Sequence, residues 1–280
     1  MSTAIADVER AARRTLKERV AYYARVIQVV AHAEYKLKYS GSALGYVWSV
    51  IKPLGLFLML YIVFGRFFKL NVGISHYPVY LLIGIVLWTY FLDATMLTMT
   101  SIVERGSLVS KLVFPRLIIP ISVTITAGIT LLVNLSVIAV FIAANRIVPT
   151  LRWFLLIPLL LELYVFTLAV GLILATIFVR LRDLRQVWEL IVQLLFYASP
   201  ILYPASFLPP WWKPITFINP FVQVIQQARR VILPASHAQG AASVYHSAFG
   251  ELVPLGVVVL LFVLGVYWFR AQAPWFAERI

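Results

Sequence analysis

The sequence has no cysteine, which removes disulfides, thiolate metal ligands and cysteine nucleophiles together. It is also poor in charge: Asp, Glu, Lys and Arg make up 12% of the chain, about half the share found in soluble domains. Acids are scarcer still, 11 against 24 basic residues. No G-x-x-x-x-G-K-[ST] occurs, and no glycine is followed by lysine, so the chain has no P-loop to cradle ATP. The four histidines, His32, His76, His237 and His246, are scattered without metal-ligand spacing, and neither a nucleophile elbow nor an HExxH is present. The expectation is no catalytic residue, no metal site and no cofactor held by this chain.

What is there is apolar. Hydrophobic residues reach 62%, against about 45–50% in soluble domains, which marks an all-α integral membrane protein. A spanning helix needs about 20 mostly apolar residues. Six spans are expected, at 46–68, 78–102, 116–143, 153–179, 186–204 and 252–270; the fifth runs into a proline-rich segment. The first apolar run starts near Gly45 behind a basic segment, so the first span reads as an uncleaved anchor rather than a signal peptide. With the N-terminus inside, 17 of the 24 Lys and Arg fall in the inner segments 1–52, 103–116, 180–185 and 270–280. That bias predicts both termini in the cytosol. It accounts for most of the formal charge of +13, so no nucleic-acid partner is expected.

Two regions are expected: a cytosolic or interfacial segment, 1–45, and a transmembrane domain, 46–280. In the first, Ile5, Val8, Ala12, Leu16, Val20, Tyr23, Ile27 and Val30 recur at helical spacing, with Arg10, Arg13, Arg14, Lys17 and Arg19 mostly off the stripe. Such a helix can lie among anionic headgroups or pack on a soluble partner. Gly41 and Gly45 allow close helix approach. Tyr46 and Trp48 suit an interfacial belt, and Lys52-Pro53 suits a kink or the start of the straight part of the first span. At 103–116, VERGSLVSKLVFPR carries an apolar stripe, Leu108, Val109, Leu112 and Val113. Glu104, Arg105, Ser107 and Lys111 can face water, and Pro115 ends the element. The stripe needs a cover, either headgroups or a groove on another protein.

Several stretches then carry a resemblance. They are the lead-in Tyr39, Gly41, Ser42, Leu44, Gly45 and Trp48, then LVSKLVFPR, VRLRDLRQ at 179–186, SPILYP, LPPWW and INPF. Their order and spacing resemble the membrane subunits of ABC exporters of the type-2 permease family. Within it they resemble the polysaccharide-export branch, the Wzm-like and teichoic-acid-exporter permeases. The resemblance covers nearly the whole chain. It implies a homodimer with two copies of a separate ATP-binding subunit, which would bind ATP and Mg. It also implies a cytosolic coupling helix at about 103–116, docked through Leu108, Val109, Leu112 and Phe114, flanked by Glu104 and Pro115, with Lys111 and Arg116 at the rim. Re-entrant outer gate helices are implied at about 200–234.

The residues themselves support a broken outer segment, since seven prolines fall between 200 and 234 and forbid a continuous span. Irregular backbone at membrane depth survives only where protein buries it or it lines a watery cavity. An exposed loop anchored by Trp211 and Trp212 is the alternative. A helix is expected over 219–233 with Arg229 and Arg230 near its C-terminal end, where the helix dipole favours cations; phosphate contact is the other use for them. Asp93 and Glu162 fall inside spans, where acids are costly and structural, pore or proton-relay roles compete. Trp88, Tyr90, Phe91, Tyr197, Tyr203, Trp211 and Trp212 fall toward the outer halves or mouth and could stack on sugars, although lipid contact or packing competes for each. The expected cargo is a polyprenyl-diphosphate-linked glycan (O-antigen, galactan or teichoic-acid type) in the bacterial cytoplasmic membrane. An exporter of drugs or small lipids, and a membrane-embedded glycosyltransferase, are the alternatives.

Overall fold

Inside a bilayer no water is available to backbone amides, so a spanning chain must satisfy them within helices or a closed barrel. The computed structural model describes residues 16–39, 47–69, 74, 76–106, 115–233 and 238–276, and among them the regular structure is helical throughout. The helices are α1 (Leu16–Tyr39), α2 (Trp48–Leu60, continued by a π-helical stretch Tyr61–Phe67), α3 (Tyr77–Glu104) and α4 (Ile118–Ala144). They are followed by α5 (Leu156–Phe178, after a 3-10 turn Leu151–Leu155), α6 (Leu184–Ala198), α7 (Lys213–Ile218), α8 (Pro220–Ile232), α9 (Ala241–Val244) and α10 (Leu252–Gln272). Among the described residues, five stretches are long and apolar enough to cross a membrane: Trp48–Phe67, Tyr77–Glu104, Ile118–Ala144, Leu151–Phe178 and Phe249–Trp275.

The remaining expected span, 186–204, differs. Its helix, α6, has 15 residues and ends at Ser199-Pro200, covering about 22 Å at 1.5 Å per residue against a hydrocarbon core of about 30 Å. Residues 199–204 turn instead of continuing. The motif glycines Gly41 and Gly45 lie outside the described residues, as do 1–15 of the N-terminal stripe. Pro53 sits inside α2 without ending it.

α3 is the central helix, buried over most of its length, whereas α2 and α10 leave most of their surface uncovered. It packs against α4, α5, α2, α6 and α8. Its serine and threonine hydroxyls are satisfied locally or across a helix pair, which is what permits them in an apolar bundle. Thr95 Oγ1 donates to the Phe91 carbonyl at 2.8 Å, and Thr98 shares a hydrogen bond with Thr124 at 3.0 Å. Small residues bring backbones together: a Cβ on Gly171 would meet Thr98 Cγ2 at 2.6 Å, and one on Gly265 would meet the Ala169 carbonyl oxygen at 2.9 Å. α1 packs along α4 through its inner stripe, with Ser122 donating to Ile27 O at 3.4 Å, Thr126 to Ala31 O at 3.1 Å, and Arg105 paired with Glu34. Tyr23, Ile27 and Val30 of the expected stripe are half-buried, while Tyr22 and Val29 are exposed on the other side.

The turn after α6 puts several carbonyls into the protein interior, and side chains take them up. Arg229 of α8 is fully buried and donates from Nη1 to Pro200 O at 2.7 Å, from Nη2 to Ile201 O at 2.7 Å and from Nε to Tyr80 O at 3.0 Å. Its guanidinium lies 3.5 Å from the centroid of the Tyr80 ring. Tyr77 Oη donates to Leu202 O at 3.0 Å, Tyr80 Oη to Tyr203 O at 3.4 Å, and Gln226 Nε2 to Pro200 O at 3.4 Å. Gly84 makes room, because a Cβ there would stand 2.6 Å from Arg229 Nη2. Asn219 caps α8 by accepting from Phe221 N at 3.0 Å, with Pro220 in the first turn.

Two measurements test this architecture. Gly171→Val drives two methyls into Thr98 and separates α5 from α3; a loss of about 1–3 kcal/mol is expected, read as a lower melting temperature in detergent. Arg229→Met strands the Pro200, Ile201 and Tyr80 carbonyls and costs about 3–5 kcal/mol, on the scale of breaking a buried ionic network. Arg229→Lys, which keeps a donor but loses the fork, falls between.

Candidate functional site

α6 touches the bundle by a narrow stripe. Trp188, Val192 and Phe196 are buried, and Trp188 Nε1 donates to Thr95 Oγ1 at 3.1 Å, pinning α6 to α3. Leu184 and Leu195 are half-buried, and the rest of the helix is exposed, including Glu189, Gln193 and Tyr197. Between α6, α3 and the start of α2 runs an open groove of about 450 Å³ lined by Lys52, Trp88, Asp93, Glu189, Gln193 and Tyr197 among others. It places two carboxylates, one ammonium and one amide on the flank of an otherwise apolar bundle. Such groups, costly against lipid, suit water or a polar ligand.

The aromatic residues singled out in the sequence part ways here. Tyr90 and Phe91 do not line a channel: they are 5% and 3% exposed. Phe91 is stacked on Phe166 at 5.4 Å and packed on Phe221 at 5.3 Å, so its ring area is spent on the core. Trp88 is mostly buried too, 5.0 Å from Phe221, with an edge on the groove. Tyr197 is exposed at the groove, and Tyr203 donates to its carbonyl at 3.0 Å. Trp211 is exposed and Trp212 half-buried, edge to face at 5.4 Å. Trp212 packs on the small buried cluster of Ala205, Leu208, Phe217, Val222 and Ala241, which ties the segment after α6 to α7, α8 and α9.

Of the two intramembrane acids, Asp93 lines the groove and is half-buried. Glu162 sits elsewhere on α5, half-buried, with Oε1 lacking a hydrogen-bond partner among the described residues. Of the expected coupling residues, Glu104 and Pro115 are exposed and Arg116 half-buried. Leu108, Val109, Lys111, Leu112 and Phe114 lie outside the described residues. Glu104, Arg105, Arg116, Arg180, Arg182, Arg185 and Arg270 gather at one end of the bundle, the end where α3 and α5 finish and α4 and α6 begin. Sequence reasoning missed Glu189, Gln193 and Lys52 as groove residues. The signal was present as polar residues at positions 189 and 193, one turn apart in an apolar run.

Comparison with known proteins places this arrangement. The sequence pattern of the ABC-2 type transporter family matches residues 25–233. The O-antigen export system permease protein RfbA of Klebsiella pneumoniae is 33% identical over 221 residues, covering 78% of this chain and 84% of that protein. The protein of the same name from Myxococcus xanthus is 31% identical over 193 residues, 69% of this chain and 73% of its own length. The polysialic acid transport protein KpsM of Escherichia coli is 24% identical over 255 residues, 86% and 91% of the two chains. With three quarters of its length inside the family pattern and relatives above 30% identity, the chain belongs to the ABC-2 type transporter family.

Proposed function

We propose that this chain is the membrane permease subunit of an ATP-driven exporter that moves a lipid-linked polysaccharide across the bacterial inner membrane. The observation that supports it most directly is the polar groove between α2, α3 and α6 on an apolar bundle. The similar proteins are named for O-antigen export and polysialic acid transport, and both cargoes are polysaccharides. In this reading the arginine-rich end faces the cytosol, following the inner Lys and Arg bias. Two copies pair with their α2 and α6 flanks facing, so that the grooves join into a path. Two copies of a separate subunit bind ATP and Mg and grip the 103–116 segments. The diphosphate end of the lipid carrier is taken from the inner leaflet near α1.

The chemistry of the groove suits a sliding polymer. Glu189, Gln193, Asp93 and Lys52 offer acceptors and donors to sugar hydroxyls, and the edges of Trp88 and Tyr197 offer apolar faces to sugar C–H groups. Each contact is weak, and a processive path benefits from many weak contacts over one tight site. Closure of the ATP-binding subunits pushes on 103–116, which in sequence joins the central helix α3 to α4.

Depleting the protein in its host and extracting lipids for mass spectrometry tests the cargo. Long polyprenyl-diphosphate glycans are expected to accumulate, and restored wild-type protein clears them. Glu189→Leu with Gln193→Leu is expected to clear them about tenfold more slowly, the equivalent of about 1.4 kcal/mol on the barrier, with the ATP-binding subunit still copurifying. Depletion that leaves the glycans unchanged and sensitises cells to small amphiphiles would replace the cargo with drugs or lipids. Separately, Leu112→Asp places a charge in the expected docking stripe. Its expected result is loss of the ATP-binding subunit on copurification, with the permease itself still in the membrane.

A further inference from the structure

At the end of the bundle opposite the arginine-rich one, the α4–α5 connection, the start of α3 and the end of α8 enclose a cavity of about 610 Å³. His76, Arg146, Arg152 and Arg230 line it. Arg230 is shared with Glu251 at 3.6 Å. Arg146 and Arg152 have no hydrogen-bond or ion-pair partner for their side chains among the described residues. The stretches 70–75 and 234–237, next in sequence to the lining residues, contain no Asp or Glu. The rim therefore keeps a net positive charge. Its backbone also reflects a demand. Arg146 holds φ 55° just past the end of α4, where Ile147 N–H bonds Ile142 O at 3.1 Å and Arg146 N–H bonds Ala143 O at 3.0 Å. That terminating motif favours glycine, so the Cβ of Arg146 strains the backbone there.

Directly beneath lies a second space, an apolar cleft of about 160 Å³ between α3, α4, α5 and α8. Leu87, Leu135, Ile138, Trp153 and Leu159 line it, and Ile232 borders both spaces. Trp153 follows Arg152 in sequence, and its Nε1 is buried without a hydrogen-bond partner among the described residues. A cationic rim, an apolar slot below it and a spare donor at the slot together match an amphiphile with an anionic head. We propose that this is a binding site for a phosphate-headed lipid. The arginine forks take the phosphate oxygens, the upper part of one hydrocarbon chain enters the cleft, and Trp153 donates to an oxygen between head and tail. The site is separate from the export groove and does not depend on the cargo.

The test uses the full-length chain, delipidated in detergent, and reads its melting temperature with three additives. These are dioleoylphosphatidylglycerol, undecaprenyl phosphate and, as a phosphate-free control with the same tails, dioleoylglycerol. At least one phosphate lipid is expected to raise the melting temperature by several degrees, as a ligand that binds only the folded state does, and dioleoylglycerol to raise it far less. Stabilisation by phosphatidylglycerol identifies bulk anionic lipid as the occupant; stabilisation by undecaprenyl phosphate alone identifies the polyprenyl carrier. Arg146→Gly removes the guanidinium and installs the residue that this backbone favours, so without lipid the variant melts at or above the wild type. It is expected to lose most of the lipid shift, and Arg146→Gly with Arg152→Gln the remainder. A phosphate-lipid shift that survives in the double variant, or one no larger than that of dioleoylglycerol, overturns the proposal.

Discussion

A peptide carbonyl inside an apolar bundle must find a donor within the protein, and one side chain meets most of that need where the chain breaks after α6. Arg229 supplies three N–H groups in a fixed fork, matched to carbonyls of Pro200, Ile201 and Tyr80. Among the described residues no carboxylate balances its charge. Carbonyl dipoles, the face of Tyr80 and the C-terminal end of α8 do so instead. Lysine would substitute only in part, because three divergent acceptors need the planar fork. The absence of a side chain at position 84 is part of the same device. Once the break is satisfied, the following prolines are tolerated, α7 and α8 can pack back, and the end of the bundle that carries Arg146, Arg152 and Arg230 is fixed in place.

The groove follows from the other consequence of that break. Because α6 stops at Ala198 and touches α3 and α5 along one stripe, most of its remaining surface is uncovered among the described residues. That surface mixes Leu190 and Leu194 with Glu189 and Gln193. Lipid suits the leucines and not the carboxylate. A facing copy, water or a passing polar chain suits the carboxylate. α2 shows the complementary economy: it leaves most of its surface uncovered, yet contributes Lys52 to the groove. The two weakly attached helices therefore flank the polar groove, and the strongly packed α3 is its floor. Helices at the edge can shift relative to one another without opening the core that α3, α4 and α5 share.

Much of this was legible in the sequence, and the failures have physical causes. The long apolar runs gave α3, α4, α5 and α10 within a few residues, because hydrocarbon thickness imposes a length that composition records. The helix expected at 219–233 appears as Pro220–Ile232, since Asn219 and Pro220 are strong starting signals. The span at 186–204 came out as a shorter helix because averaged hydropathy does not register Ser199-Pro200 as a stop. Trp88, Tyr90 and Phe91 were legible as aromatic and apolar. The orientation of Trp88 and Phe91 toward Phe166, Phe196 and Phe221 was not, because those partners are brought together only by the tertiary fold. Arg229 was read through the helix dipole of its own element. Its real partners lie 28, 29 and 149 positions away in the chain, beyond any local pattern.

The two charged ends of the bundle obey different rules. At the arginine-rich end the cations follow the topological bias, and two of them are paired: Arg105 binds Glu34 and Arg180 binds the Gln272 side chain. Charge there sets orientation and needs no further use. In the proposed orientation the arginines at the opposite end work against that bias, so each must be offset by the larger number inside. Arg229 is explained by carbonyls and Arg230 in part by Glu251. Arg146 and Arg152 have neither explanation, and Arg146 carries backbone strain, about 1–2 kcal/mol for a left-handed residue with a Cβ. Both oppose the proposed topology and lack side-chain partners among the described residues, and at a membrane surface the abundant counter-charge is phosphate, the head group proposed for them.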